Sequence, residues 1–127
     1  MSDPQLNPDD VWPSGPDDQR LVRDALDRLL LGFQVIGFDW KYLYVNPAAA
    51  RHGRRTPREL VGKTMDEAYP GFRDTGLFRR LDECMRQRVT ATFENEFAYP
   101  DGTKRRFEVR VQPVPKGICI YSEAIGG

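Results

Sequence analysis

The sequence predicts an α+β domain: a five-stranded antiparallel sheet with short helices and one longer helix on one face, preceded by an N-terminal amphipathic helix. Two observations carry this. Strand-like runs rich in aromatic and β-branched residues fall into two groups, FQVIG and KYLYVN early, then TATFENEFAY, KRRFEVRVQPV and ICIYSEA at the end. Between the groups lie helix caps and one apolar stripe at helical spacing, and strands split by helices give an antiparallel sheet covered on one face. The length of 127 residues suits a single domain.

Residues 1–17 hold Pro4, Pro8, Pro13 and Pro16 among aspartates. Few apolar groups are available there to offset the entropy of ordering, so a disordered N-terminal tail is expected. The domain is then expected over 18–125, including a flanking helix at 18–31. In that helix Leu21, Val22, Ala25, Leu26, Leu29 and Leu30 recur at three- and four-residue spacings, with arginines and aspartates between them. Its apolar face has two readings, a helix folded back on its own sheet or an interface between two subunits.

Asn46-Pro47 reads as a helix cap followed by proline at the first helical position, with Gly53 closing a short Ala-rich helix. Thr56-Pro-Arg-Glu59 and Thr64-Met-Asp-Glu67 are two Thr-x-x-Glu capping boxes, each opening a short helix. Leu77, Phe78, Leu81, Cys84 and Met85 share one stripe between Gly76 and Arg88, the longer helix. In the next segments Phe107, Val109 and Val111 alternate with Arg106, Glu108 and Arg110, the pattern of a half-buried antiparallel strand.

Composition excludes several classes of function. The 19 basic and 19 acidic residues balance to a net charge of +0, so no nucleic-acid partner is expected. The first ten residues have neither a basic nor an apolar region of the signal-peptide kind, and no apolar run reaches the about 20 residues of a membrane span, so a cytoplasmic protein is expected. Cys84 and Cys119 lack C-x-x-C spacing, and with one histidine they offer no metal site; both read as small buried hydrophobes. Asp82 and Glu83 lie among arginines as on a solvated face. The chain carries no P-loop, nucleophile elbow, dinucleotide fingerprint or His-Glu-x-x-His, so it is not expected to be an enzyme.

The order of elements, with YLYVNPAA (42–49), TPRELVGK (56–63) and RRFEVRVQPVPKGICIY (105–121), resembles the PAS family, particularly its bacterial branch associated with sensor histidine kinases. The resemblance covers about residues 30–125. It implies a pocket between the helices and the sheet, a flanking helix that pairs two subunits, and signal transfer to an effector or kinase domain in cis or in trans. The aromatics Tyr44, Tyr69, Phe72, Phe78, Phe93, Phe107 and Tyr121 are the ligand-pocket candidates, with ordinary core as their other reading. Leu21, Val22, Ala25, Leu26 and Leu29 are the dimer-interface candidates.

Two departures from the family pattern stand out. Gly37 occupies the end of the first strand where an aspartate is common, and Glu123-Ala124-Ile125 stands where the family often closes with Asp-Ile-Thr. No cofactor is expected. Haem in this family needs an axial histidine on the long helix, whereas His52, the one histidine, closes the short Ala-rich helix and reads as a helix-end or surface residue. A flavin photoreceptor needs an Asn-Cys-Arg-Phe-Leu-Gln segment where this chain has MDEAYPGF (65–72). The expected function is a non-catalytic sensory module that binds a small ligand or a protein partner and acts on a kinase or similar effector. It stands either as a piece of a larger protein or alone. The alternatives are a small cone-shaped enzyme or lipid carrier with a buried acid, for which Glu94 and Glu96 are the test positions, and a cofactor-dependent light or gas sensor.

Overall fold

A computed structural model describes residues 16–126 of the chain. The elements follow in the order α1 (Pro16–Asp27), β1 (Gly32–Gly37), β2 (Tyr42–Val45), α2 (Pro47–His52), α3 (Pro57–Leu60), α4 (Met65–Ala68), a 3-10 turn (Phe72–Asp74), α5 (Gly76–Gln87), β3 (Ala91–Ala98), β4 (Lys104–Val114) and β5 (Gly117–Ile125). The five strands form one sheet in the order β2-β1-β5-β4-β3, and every neighbouring pair is antiparallel.

The capping chemistry read from the sequence is present. Asn46 accepts from the Ala49 N–H, and Thr56 and Thr64 each complete a reciprocal capping box with Glu59 and Glu67. A fourth cap, unexpected from the sequence, opens α5: the Thr75 side chain accepts from the Phe78 N–H. Short helices satisfied at their ends in this way can exist as single turns, which propensity alone would not sustain.

Strand parity sets the two faces of the sheet. Phe107, Val109 and Val111 on β4 and Ile118 and Ile120 on β5 point to the inner face, where they join Ile36, Leu81, Cys84 and Met85 in one core. Helix α5 packs on β4 and β5 from that side. Gly117 belongs to the close packing at the β5 start: a Cβ there would run into the Ile36 carbonyl oxygen of β1. Arg88, left-handed at the end of α5, donates to the Val114 and Gly117 carbonyls and ties the helix to the β4–β5 turn.

The N-terminal region differs from expectation. Residues 1–15 of the expected tail lie outside the described residues, while Pro16 and Asp17 are already helical, proline being well suited to a first helical position. The helix expected over 18–31 ends at Asp27. Its last bonds are of the tighter 3-10 type, Arg28 N to Ala25 O and Leu29 N to Leu26 O. Beyond them the Asn46 side-chain amide takes the Leu26 and Leu31 carbonyls, so the chain turns into β1.

Candidate functional site

The seven aromatic candidates do not converge on one pocket. Five belong to the inner face. Phe72 is buried, and Phe78 lies 5.5 Å from it, ring to ring. Tyr69 packs edge-on to Phe97 and donates to the Gly53 carbonyl, Phe93 lies under the Arg80 guanidinium, and Phe107 is buried against His52. These rings fill the core and its margins. Burial pushes the Tyr69 phenol above its usual range and does the same to Tyr42, so both remain neutral hydroxyls.

Tyr44 and Tyr121 lie on the opposite, outer face. Tyr121 pairs in register with Phe33 and alternates with the inward Ile118 and Ile120. The Phe33 ring bridges the two tyrosines, 6.0 Å from Tyr44 and 5.1 Å from Tyr121. A bulge between Val35 and Ile36 shifts the β1–β2 register and places Tyr44 with Val35. That shift is why simple alternation from the buried Tyr42 misplaces Tyr44.

Trp40 is the aromatic that sequence reasoning passed over. It sits in the β1–β2 turn with a left-handed backbone, is 8% exposed, and packs 5.1 Å from Phe78 and 6.4 Å from Phe72. Its carbonyl accepts from the Met65 N–H, joining the turn to α4. The local signal was a turn tripeptide, and only the fold turns its ring inward.

The dimer-interface candidates divide between both readings. Val22 and Leu26 are half-buried over Phe33, Val35 and Tyr44, lining a shallow groove of about 330 Å³ between α1 and the outer face. Leu21, Ala25 and Leu29 face outward, with Leu21 69% and the neighbouring Leu30 93% exposed. The Tyr44 hydroxyl donates to Asp27, and Arg23 lies over the Tyr44 ring. Burial and then the Asp27 hydrogen bond raise the Tyr44 phenol above its ordinary range, so this clip is a neutral donor to a carboxylate.

Asn46 holds these parts together. It is 0% exposed, and all of its side-chain capacity is used within the fold. Its Oδ1 accepts from Phe33 N and Ala49 N, both at 2.9 Å, while its Nδ2 donates to Leu26 O at 3.0 Å and Leu31 O at 3.1 Å. The helix cap expected from the sequence is therefore also the joint between α1, β1 and α2.

The remaining polar groups speak to the other classes of chemistry. Burial raises the pKa of both Cys84 and Cys119, keeping them as thiols rather than nucleophilic thiolates. Among the described residues no group of three His, Cys, Asp or Glu side chains could hold a metal ion. Glu94 and Glu96 are exposed on the outer face, paired with Arg106 and Lys104, so neither is a buried acid. Asp82 pairs with Arg86 one helical turn on. His52 does end its helix, and it also turns onto the inner face, where Nδ1 lies 3.0 Å from Ser122 Oγ and the ring packs 4.7 Å from Phe107.

A five-stranded antiparallel sheet with its short helices and one longer helix on a single face is the arrangement that the sequence resemblance implied. The family model for the PAS fold matches residues 26–125. The chain belongs to the PAS family. As a PAS domain it is a sensory and signalling module, and its shape is shared by solved PAS structures at low identity. A PAS domain from a two-component sensor histidine kinase is 15% identical, with a TM-score of 0.63 over 84% of this chain and 96% of that one. The photoactive yellow protein domain of the sensor histidine kinase Ppr from Rhodospirillum centenum is 18% identical, with a TM-score of 0.66 over 80% of this chain and 91% of that one. The dimeric VqmA of Vibrio cholerae, described as informing DNA binding by LuxR-type receptors, is 15% identical with a TM-score of 0.70. That match spans 84% of this chain and 51% of the VqmA chain. No curated protein sequence matches the chain. Among the described residues of the PAS domain no helix is long and apolar enough to cross a membrane.

Proposed function

We propose that this PAS domain is a non-catalytic, cytoplasmic sensory module that takes a small ligand or a protein partner and controls a linked or separate effector, such as a sensor histidine kinase. It works as a homodimer through α1 and uses no haem, covalent flavin or metal. The observation that carries this reading is the Asn46 joint. It fastens the sensing layer, through α2 and β1, to a flanking helix whose outward face carries Leu21 and Ala25, with Leu29 exposed in the turn that follows it.

A shift of α2 against the sheet moves Asn46, and with it the carbonyls at the end of α1. Occupancy of the inner face then biases the packing of a helix that a second subunit or an effector reads. The similarity to histidine-kinase PAS domains supports an effector of that kind, and a net charge of +0 supports a protein rather than nucleic acid as the partner.

Native mass spectrometry of the purified full chain tests the reading, because it reports subunit count and bound small molecules together. The expected spectrum is that of a dimer, released to a monomer by substituting the outward leucines. A monomer that carries nothing and captures no partner at micromolar concentration would overturn it.

A further inference from the structure

Beside the C-terminal end of α2 two exposed arginines flank a half-buried histidine on the inner face. His52 and Arg105 both pack on Phe107, the imidazole at 4.7 Å from the ring and the guanidinium at 5.7 Å. Arg51 adjoins His52 on α2. Arg51 and Arg105 are exposed, and among the described residues neither enters an ion pair. The Arg54 guanidinium, in contrast, is held by Asp101 at 2.8 Å, and Arg55 is held by Glu59.

Ser122 accompanies His52 at 3.0 Å, and the pair meets only because residue 32 is glycine: a Cβ there would run into Ser122 Oγ. The His52–Ser122 bond occupies Nδ1, which leaves Nε2 without a hydrogen-bond partner among the described residues. Burial, then Arg105, then Arg51 lower the His52 pKa, and no carboxylate acts against them. Two unpaired guanidiniums are fixed donors, and the His52–Ser122 pair supplies one more, Nε2–H when the serine donates to Nδ1 or the serine hydroxyl when Nδ1–H donates to it, with no carboxylate in the set.

We infer that Arg51, His52, Arg105 and Ser122 form a subsite for a small anion of carboxylate or phosphate chemistry, beside the C-terminal end of α2. The inference deepens the sensory reading by naming a ligand class. It also places that ligand at one end of α2, whose other end is capped by Asn46. An anion drawing Arg51 and His52 toward Arg105 would pull on this six-residue helix and so on the joint to α1.

His52 is the one histidine in the chain, so its imidazole resonances report on this site alone. The test is an NMR titration of the full chain with inorganic phosphate, and separately with succinate, at ionic strength held constant with sodium chloride. The expected result is a saturable shift of the His52 signals, with whichever anion binds tighter naming the headgroup. Arg51→Gln and Arg105→Gln should each weaken Kd by about tenfold, the scale of one charge-assisted hydrogen bond. Arg58→Gln, an exposed arginine on α3, should leave Kd unchanged. Should Arg105→Gln disturb the fold, Arg105→Lys and Arg51→Gln decide the matter. His52 signals that move no more with either anion than with chloride, or a Kd indifferent to Arg51 and Arg105, would overturn the subsite. Capture of an uncharged molecule in native mass spectrometry alongside silent His52 signals would overturn the anion subsite and leave the sensory reading in place.

Discussion

Replacing Asn46 with alanine removes four hydrogen bonds at once and leaves two backbone donors, Phe33 N and Ala49 N, and two acceptors, Leu26 O and Leu31 O, without that partner. Each such bond contributes about 0.5–1.5 kcal/mol net, so their sum lies at about 2–6 kcal/mol. Leu26 and Leu31 are only partly buried, and the Leu26 carbonyl also accepts from Leu29 N, so these two acceptors lose less than the buried donors, which places the expected loss for Asn46→Ala at about 3 kcal/mol. Against a typical total of about 5–15 kcal/mol this is a large fraction. With a urea m-value of about 2 kcal/mol/M, the unfolding midpoint should fall by about 1.5 M. Asn46→Asp separates the two halves of the joint. Its carboxylate still accepts from Phe33 N and Ala49 N, but sets an anionic oxygen against the Leu26 and Leu31 carbonyls. That variant should be about as destabilised as Asn46→Ala at neutral pH and should recover partly in acid, where the protonated carboxyl can donate. Urea unfolding followed by circular dichroism, with hydrogen exchange of the Phe33 and Ala49 amides, is the assay. A midpoint within about 0.3 M of the parent for Asn46→Ala, or an Asn46→Asp variant as stable as the parent at pH 7, would refute the reasoning.

Other expectations follow from single contacts. Gly117→Ala should lower Tm by about 10 °C or more, since its Cβ meets the Ile36 carbonyl and strains the β1–β5 pairing, a loss of about 2 kcal/mol at about 4–8 °C per kcal/mol; an unchanged melting curve would count against that register. His52 has a folded pKa below its ordinary 6.5, with burial the leading cause. Its contribution to stability is therefore fully present above pH 6.5 and is lost as pH falls through 6.5 toward the lower folded value. Tm measured across that window should decline in the parent and decline less in His52→Gln. Asp101 is held down to about 2, first by the Thr103 hydroxyl and backbone and then by Arg54, from an ordinary 3.8. Its contribution is present above pH 3.8 and disappears as pH falls toward 2, so Asp101→Asn should flatten the acid limb of the same profile.

Much of this architecture is written locally. Asn46-Pro47 and the two Thr-x-x-Glu boxes place α2, α3 and α4 to within a residue, because a cap is satisfied by neighbours three positions away. The alternation of β4 fixes which face Phe107, Val109 and Val111 take. The same rule applied to β5 would have set Tyr121 apart from Ile118 and Ile120, so its outer position was legible. Tyr44 was not, since the bulge at Val35/Ile36 breaks parity through a pairing that only the folded sheet defines. Trp40 was hidden for a similar reason: a left-handed residue in a turn gives no periodicity by which to read its direction. The meeting of His52 with Ser122 spans 70 positions and depends on the absence of a side chain at Gly32. Nothing in the sequence near either residue announces it.

In the proposed function α1 is the output element, held to the sensing layer on one side and to a second copy of the chain on the other. Light scattering of the full chain, set beside the double variant Leu21→Glu, Leu29→Glu, tests it most directly, because both leucines are exposed and their substitution leaves the Val22 and Leu26 contacts with the sheet intact. The expected parent has twice the monomer mass, and the expected variant has the monomer mass with an unchanged circular dichroism spectrum. Equal masses for the two proteins, whether both dimers or both monomers, would contradict that role for α1.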